Sequence, residues 1–288
     1  MKSQVTVAIT RHDESDDLFL GALEALSGQQ KITITVLVLD QCSAPEVELF
    51  CSNKSNAMVC FHYILLAPCG ISRARNRAIS LSETNVLLFT EPDARADEYW
   101  AYYLHDALCA GAAVAGGLIV PQWTKMPPFA ARSGLIMDMY SLLDLGHGRR
   151  KTEKVVGCNF GIDIEQLGVD HSCFNERYGR AVGDLMGGEE TELCRRAISE
   201  NLSVVYDGRA LVTHIISSER IRYRWLAKRI HAAGKSRAMD GGLPRPTNPS
   251  RFGFTTLLAS PLYVCYVLGY LSYKLGAVNR IQTTKGES

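Results

Sequence analysis

Over its first 120 residues the chain alternates short apolar, β-branched runs with stretches of helical periodicity. VTVAIT (5–10) precedes DDLFLGALEALSGQ (16–29), where Leu18, Leu20, Leu23 and Leu26 recur near helical spacing. ITITVLVLD (32–40) precedes PEVELFCSN (45–53), and FHYILLA (61–67) precedes GISRARNRAISLSE (70–83). NVLLFT (85–90) precedes DEYWAYYLHDALCA (97–110), with Asp97 placed to cap that helix. AAVAGGLIVPQ (112–122) is a fifth strand. Strands that are apolar throughout and separated by helices must be covered on both faces, so the pattern predicts an α/β fold with a mostly parallel central sheet.

After Gln122 the pattern loosens. WTKMPPFAARSG reads as loop, and a helix is expected from about 130 to 145. VVGCNFGIDI (155–164) reads as a strand, EETELCRRAISEN (189–201) as a helix, and LSVVYDGRALVTHII (202–216) as two short strands. ERIRYRWLAKRIHAAGKSR (219–237) reads as an amphipathic helix carrying seven Lys/Arg against one Glu. From Phe252 to Tyr273 no residue is charged. A helix of that length would reach roughly 33 Å, close to the ~30 Å apolar core of a bilayer. Pro261 interrupts the run, and Tyr263, Tyr266, Tyr270 and Tyr273 form one tyrosine face. Such a segment can span a membrane, lie in its interface, or pack on the protein itself.

Net charge changes this picture little. A formal charge of +1 over 288 residues lacks the basic footprint of a general nucleic-acid binder. The cysteines are odd in number (nine), scattered, and never in a CxxC pair. That usage indicates reduced thiols in a cytosolic compartment and excludes a disulfide frame. The opening MKSQVTVAIT lacks the apolar stretch of a signal peptide.

Open parallel sheets bind ligands beyond the carboxyl ends of their strands. Thr10 and Arg11, Asp40, and Glu91 with Asp93 stand at three such ends. No GxGxxG follows the first strand and no GxxxxGK[ST] occurs anywhere, which disfavours a dinucleotide dehydrogenase or a P-loop enzyme. Without such a cradle, a diphosphate needs a hard cation and carboxylate ligands. Glu91 and Asp93 can supply them, or can simply turn the chain. Glu189, Glu190 and Glu192 crowd the start of a helix behind Gly187 and Gly188, either as dipole caps or as a base for an acceptor hydroxyl. His214, amid apolar residues, is either a structural histidine or a ligand.

Taken in order, these segments resemble family 2 glycosyltransferases of the GT-A fold, over residues 4–240. The stretches that carry the resemblance are VTVAITRHDES, VLVLDQCSAPE, GISRARNRAIS, LLFTEPDARAD, GGLIVPQW, VVGCNFGIDIEQLG, YGRAVGDLMGGEETELCRRA and GRALVTHIISSERIRYRWLAKRIHAAGKS. The resemblance implies a Rossmann-like catalytic domain over 1–217, with a nucleotide-sugar half (1–122) and an acceptor half (123–217). A basic helix and a membrane-associating segment would fill 218–288. It implies that Asp40 meets the base or ribose, with Thr10 and Arg11 beside it and Arg75 near the diphosphate. Asp93, with Glu91 and His214, would hold Mg²⁺ or Mn²⁺. Glu190 would be the general base, with Glu189 the competing candidate, and Trp123 and Asn159 would lie on the acceptor side. The chain departs from the family in having Glu91-Pro92 where an Asp is usual, and Glu190 where the second acid is usually Asp.

The activity so implied is inverting, metal-dependent transfer from a nucleoside-diphosphate sugar, UDP-linked by preference, to a glycan or lipid-linked acceptor. The enzyme would sit peripherally or monotopically at the cytoplasmic face of the membrane. A sugar-phosphate nucleotidyltransferase and a non-catalytic membrane-associated scaffold of the same fold are the alternatives.

Overall fold

The computed structural model describes residues 4–127, 134–169, 172–177, 185, 187–241 and 260–285. The chain divides into two compact units: 1–122 with 141–179 and 189–215, and 123–140 with 180–188 and 216–288.

The first unit is built on a nine-stranded sheet. Its strands are β1 (Val5–Arg11), β2 (Ile34–Asp40), β3 (Val59–Leu65), β4 (Val86–Thr90), β5 (Ala94–Ala96), β6 (Val114–Trp123), β7 (Arg149–Lys151), β8 (Phe160–Asp163) and β9 (Val204–Ile216). The spatial order is β3-β2-β1-β4-β8-β6-β9-β5, with β7 paired to β9. The first four strands are parallel; β8 runs antiparallel to both β4 and β6, and β5 antiparallel to β9. The helices are α1 (Asp16–Ser27), α2 (Pro45–Lys54), α3 (Ile71–Leu81), α4 (Trp100–Cys109), α5 (Gly134–Met137), α6 (Glu189–Ser199), α7 (Tyr223–Met239) and α8 (Ser260–Lys285).

Alternation along the strands sorts the core onto two faces. Val5, Val7 and Ile9 of β1 pack with Phe19 and Leu23 of α1, Val47 of α2 and Trp100 of α4. Ala8 turns to the other face, with Ala78 of α3, Phe89, Phe160, and Leu193 of α6. The covered α/β sheet expected from the apolar runs therefore forms, but it is mixed: β1 to β4 pair in parallel, whereas β8 with β4 and β6, and β9 with β5 and β7, pair antiparallel.

Several local expectations change. Asp97 does not cap α4; that position is Tyr99, and Asp97 accepts hydrogen bonds from the amides of Tyr99 and Trp100 one turn earlier. Of the helix expected over 130–145, residues 128–133 lie outside the described residues. The remainder holds only α5 and a single 3-10 turn at Asp138–Tyr140, because Leu143 bridges to Ile119 at the sheet instead. Of residues 202–216, Val204–Ile216 form one long strand rather than two, since β7 and β5 pair along its length.

In the second unit, α7 and α8 pack together at unusually short range. A Cβ on Gly234 would collide with the Tyr266 carbonyl, and one on Gly269 with the His231 carbonyl. Tyr266 is buried and stacks with Tyr263 at 5.9 Å. Part of the tyrosine face thus packs on the protein itself. Among the described residues no helix is long and apolar enough to cross a membrane.

Asn159 joins three strands and a helix inside the first unit. Its side-chain amide donates to the carbonyls of Leu118 and Ala210, at 2.9 Å each, and its carbonyl accepts from Trp100 Nε1 at 2.8 Å. Replacing it by leucine strands all three buried groups, each costing about 1–3 kcal/mol. Asn159→Leu is expected to lower the urea-unfolding free energy by about 3 kcal/mol or more.

Candidate active site

The carboxyl ends of β1, β2 and β4 bring the candidate residues together in two clusters. The first surrounds Asp40, which is fully buried. Its Oδ1 accepts from the Cys42 amide at 2.8 Å, its Oδ2 accepts from the Tyr63 hydroxyl at 3.0 Å, and Arg11 Nη1 lies 3.5 Å away. Arg11 also donates to the Glu14 carbonyl, pairs with Asp16, and lies over the Phe19 ring. Burial raises the Tyr63 hydroxyl above its usual pKa, and its bond to the Asp40 carboxylate adds to the rise. Asp40, expected to contact a base or ribose, is thus bonded on both oxygens by the protein. Thr10 is buried at the end of β1.

Gln41, which sequence reasoning passed over, ties three strand ends together. It donates to the Arg11 carbonyl and accepts from the amides of Cys69 and Gly70, just ahead of α3. Its place directly after Asp40 was the available signal.

The second cluster begins at the turn between β4 and β5. The Ala94 amide bonds back to the Glu91 carbonyl at 3.0 Å, closing a β-turn with Pro92 at its second position, where proline's fixed φ suits the geometry. Arg95 fastens this turn, donating to the carbonyls of Pro92, Ala94 and Leu18 at 3.0 Å each. Glu91 and Asp93 therefore both turn the chain and present carboxylates, but toward different partners.

Asp93 faces β9. The β5–β9 pairing places Ala94 opposite His214, and the Ile215 amide donates to the Asp93 carbonyl at 2.7 Å. His214 Nε2 then lies 3.3 Å from Asp93 Oδ2, with both side chains buried. Strand β5 was not expected from the sequence, and it supplies the register of this pair.

Glu91 faces Arg75. Arg75 Nη2 donates to Glu91 Oε1 at 3.1 Å and to the Gly157 carbonyl at 3.2 Å, while Nη1 donates to Glu189 and Glu190, each at 2.8 Å. The Arg75 side chain is 2% exposed. Burial disfavours its charge, but Glu190, then Glu189 and Glu91, more than offset this and hold its pKa above the ordinary arginine value. Of the residues expected to hold a metal, Asp93 and His214 stand together, whereas Glu91 is bonded to Arg75; among the described residues no three His, Cys, Asp or Glu side chains are grouped for one ion.

Glu189 and Glu190 open α6 behind Gly188. Glu189 is 4% exposed and Glu190 13%, and only Oε1 of Glu190 is bonded to Arg75. The thiol of buried Cys158 is pushed well above its usual pKa, first by burial and then by the charges of Glu91, Asp93 and Glu190.

One acceptor-side expectation comes out differently. Asn159 is wholly enclosed in the core and its amide is committed to Trp100, Leu118 and Ala210, so it is not presented to an acceptor. Trp123, in the second unit, meets Tyr140 edge-on at 5.0 Å, and Tyr140 stacks parallel to Trp225 at 6.5 Å.

No family model matches the chain, and no curated protein matches it in sequence. Solved structures do match. GalNAc-T7, in a crystal structure with UDP, GalNAc and Mn²⁺, aligns over 90% of this chain at TM-score 0.56 and 12% identity. This chain covers 54% of GalNAc-T7, about half its length. The mannosyltransferase PcManGT from Pyrobaculum calidifontis, in complex with GDP-Man and Mn²⁺, aligns over all of this chain and 77% of its own, at TM-score 0.57 and 13% identity.

The Asp40 cluster can be tested through the Tyr63 hydroxyl, its neutral side-chain donor. Tyr63→Phe removes a hydrogen bond to a buried carboxylate and is expected to cost about 2 kcal/mol of stability, read by urea unfolding. Strand order, sheet coverage and these alignments together establish that the chain has the GT-A fold.

Proposed function

We propose that this chain transfers a sugar, with inversion, from a nucleoside-diphosphate sugar to a hydroxyl of a glycan or lipid-linked acceptor. The observation that carries the reading is the second cluster at the sheet's carboxyl end. There Arg75 bonds both Glu91, in the turn that carries the Asp93–His214 pair, and Glu190, a base with one carboxylate oxygen left to an incoming hydroxyl. The ordered motifs of the sequence support placing it in family 2, and the nucleotide sugars and Mn²⁺ bound by the two solved neighbours support the donor class.

A divalent cation fits the residues present. Asp93 and His214, both buried, present a carboxylate and an imidazole nitrogen 3.3 Å apart, a donor pair of the kind a hard divalent cation takes. Asp93 and His214 would hold the cation with the help of the donor's phosphate oxygens. When bound, it supplies charge compensation for the departing diphosphate.

The remaining chemistry falls to the chain. The acceptor oxygen attacks the anomeric carbon as the bond from that carbon to the phosphate oxygen breaks. The nucleoside diphosphate takes the bonding electrons, and the hydroxyl proton passes to Glu190 Oε2. A single displacement inverts the anomeric centre and needs no nucleophilic side chain.

The second unit supports a membrane-surface location. Helix α7 contains Arg224, Lys228, Arg229, Lys235 and Arg237 and no acidic residue. On α8, Val264, Leu268, Leu271 and Leu275 are all exposed. Exposed apolar side chains and a basic helix in one unit suit an anionic lipid surface.

Nucleotide release from a panel of UDP- and GDP-sugars with Mn²⁺ or Mg²⁺ tests the reaction. Glu190→Gln is expected to lower turnover at least about 10²-fold while UDP–Mn²⁺ binding by calorimetry persists. Asp93→Ala is expected to weaken that binding itself. Pyrophosphate release from a nucleoside triphosphate instead would overturn the proposal in favour of nucleotidyl transfer. For the membrane, the wild-type chain is expected to co-sediment with phosphatidylglycerol vesicles, less so at high salt, and Leu268→Asp with Leu271→Asp to remain in the supernatant.

A further inference from the structure

The Arg75 cluster has a feature that the proposed reaction does not use. The guanidinium lies over three rings, with its centre 5.9 Å from Phe89, 5.3 Å from Phe160 and 5.7 Å from Phe174. The rings brace one another: Phe89 stacks on Phe160 at 4.8 Å, and Phe174 meets both edge-on, at 5.3 and 6.1 Å. An aromatic pedestal thus fixes the cation from β4, β8 and the loop at 174, while four oxygens from three further segments close around it. Such a seat suits arginine, whose flat, weakly hydrated head accepts ring faces and bonds in its own plane at once.

Buried ion clusters are poor stabilisers. Desolvation consumes the Coulomb gain, and apolar residues of similar volume often serve a core as well or better. The geometry is more informative about position. One nitrogen, Nη1, holds both acids that open α6, and the other, Nη2, holds the acid of the β4–β5 turn. Gly157 completes the arrangement. A Cβ there would strike Glu190 Oε1 and come within 2.7 Å of both Arg75 Nη2 and Glu91 Oε1. The backbone at 157 is therefore the wall against which the Glu190 carboxylate is set.

We propose that Arg75 is the positioning residue of the acceptor-activating carboxylate, and not a diphosphate contact. Braced by three phenylalanines and backed by Gly157, it locks Glu190 to the turn that carries Asp93, so that the base keeps a set distance from the donor side of the site. The inference rests on the reading of Glu190 as base. A guanidinium 2% exposed, with four oxygens bonded to its two terminal nitrogens, has no edge to offer a phosphate.

Two variants of the full-length chain test this, each read by UDP–Mn²⁺ calorimetry and by nucleotide release from whichever sugar nucleotide the wild type turns over. Arg75→Ala is expected to lose turnover by about 10²-fold, the scale of a misplaced catalytic group, with UDP–Mn²⁺ affinity unchanged and turnover partly restored by millimolar guanidinium. Gly157→Ala leaves every charge in place and keeps the test alive should Arg75→Ala not fold. The added methyl meets only the ends of side chains, so the fold is expected to persist while kcat falls and KM for the donor holds. Loss of UDP–Mn²⁺ affinity in step with turnover in Arg75→Ala would assign the residue to the diphosphate and overturn the inference, as would wild-type kcat in Gly157→Ala. A wild-type chain that binds neither UDP nor GDP with Mn²⁺ gives a different result: glycosyl transfer itself fails, and the inference loses its premise.

Discussion

A cation removed from water must be matched by charge on every side, and Arg75 is where this chain meets that constraint. Its guanidinium is deep in the first unit, 2% exposed, and draws in residues from α3, the β4–β5 turn, the 157 loop and the start of α6. Removing one partner of such a pair while leaving the other buried typically costs about 3–5 kcal/mol. The four segments are thereby held in one arrangement, and the carboxylates at the mouth of the sheet inherit their positions from it.

A second buried centre, at Asp40, does comparable work one strand away. Tyr63, Cys42 and Arg11 share its carboxylate, and Gln41 stitches the neighbouring strand ends together. Both centres stand where parallel strands end, because unpaired backbone groups collect there and polar side chains can reach them. Between the two, the Glu91–Ala94 turn directs one acid to Arg75 and the other to His214. Two acids of one turn thus acquire unlike partners, a guanidinium for Glu91 and an imidazole for Asp93.

The helical pair of the second unit rests on a different principle. Gly234 and Gly269 remove the side chains that would hold α7 and α8 apart, so the helices meet at backbone contact. That leaves the opposite face of α8, with Val264, Leu268, Leu271 and Leu275, turned outward. An uncharged, tyrosine-rich segment can therefore serve two ends, packing Tyr266 inward while keeping aliphatic side chains outside.

Much of the first unit was legible in the sequence. Apolar runs that bury on both faces can hardly be anything but inner strands, and β1 to β4 and β6 with the helices between them follow from that period alone. Strand-end placement likewise singled out Asp40, Glu91 and Asp93, and the Gly-Gly pair singled out the acids of α6. What the sequence by itself could not determine is which charge meets which. Arg75 is 16 residues from Glu91 but 114 and 115 from Glu189 and Glu190, and only sheet order brings them together. The same holds for His214, whose approach to Asp93 depends on β5, three residues too short to show a period of its own. Asn159 makes the converse point: a polar residue in a promising motif was claimed by the core, because three strands and a helix needed one side chain with both donors and an acceptor. Local pattern determines which elements form, since it acts over one strand or one turn. The partners of a buried charge are set by chain segments far apart in sequence, and only the tertiary structure decides them.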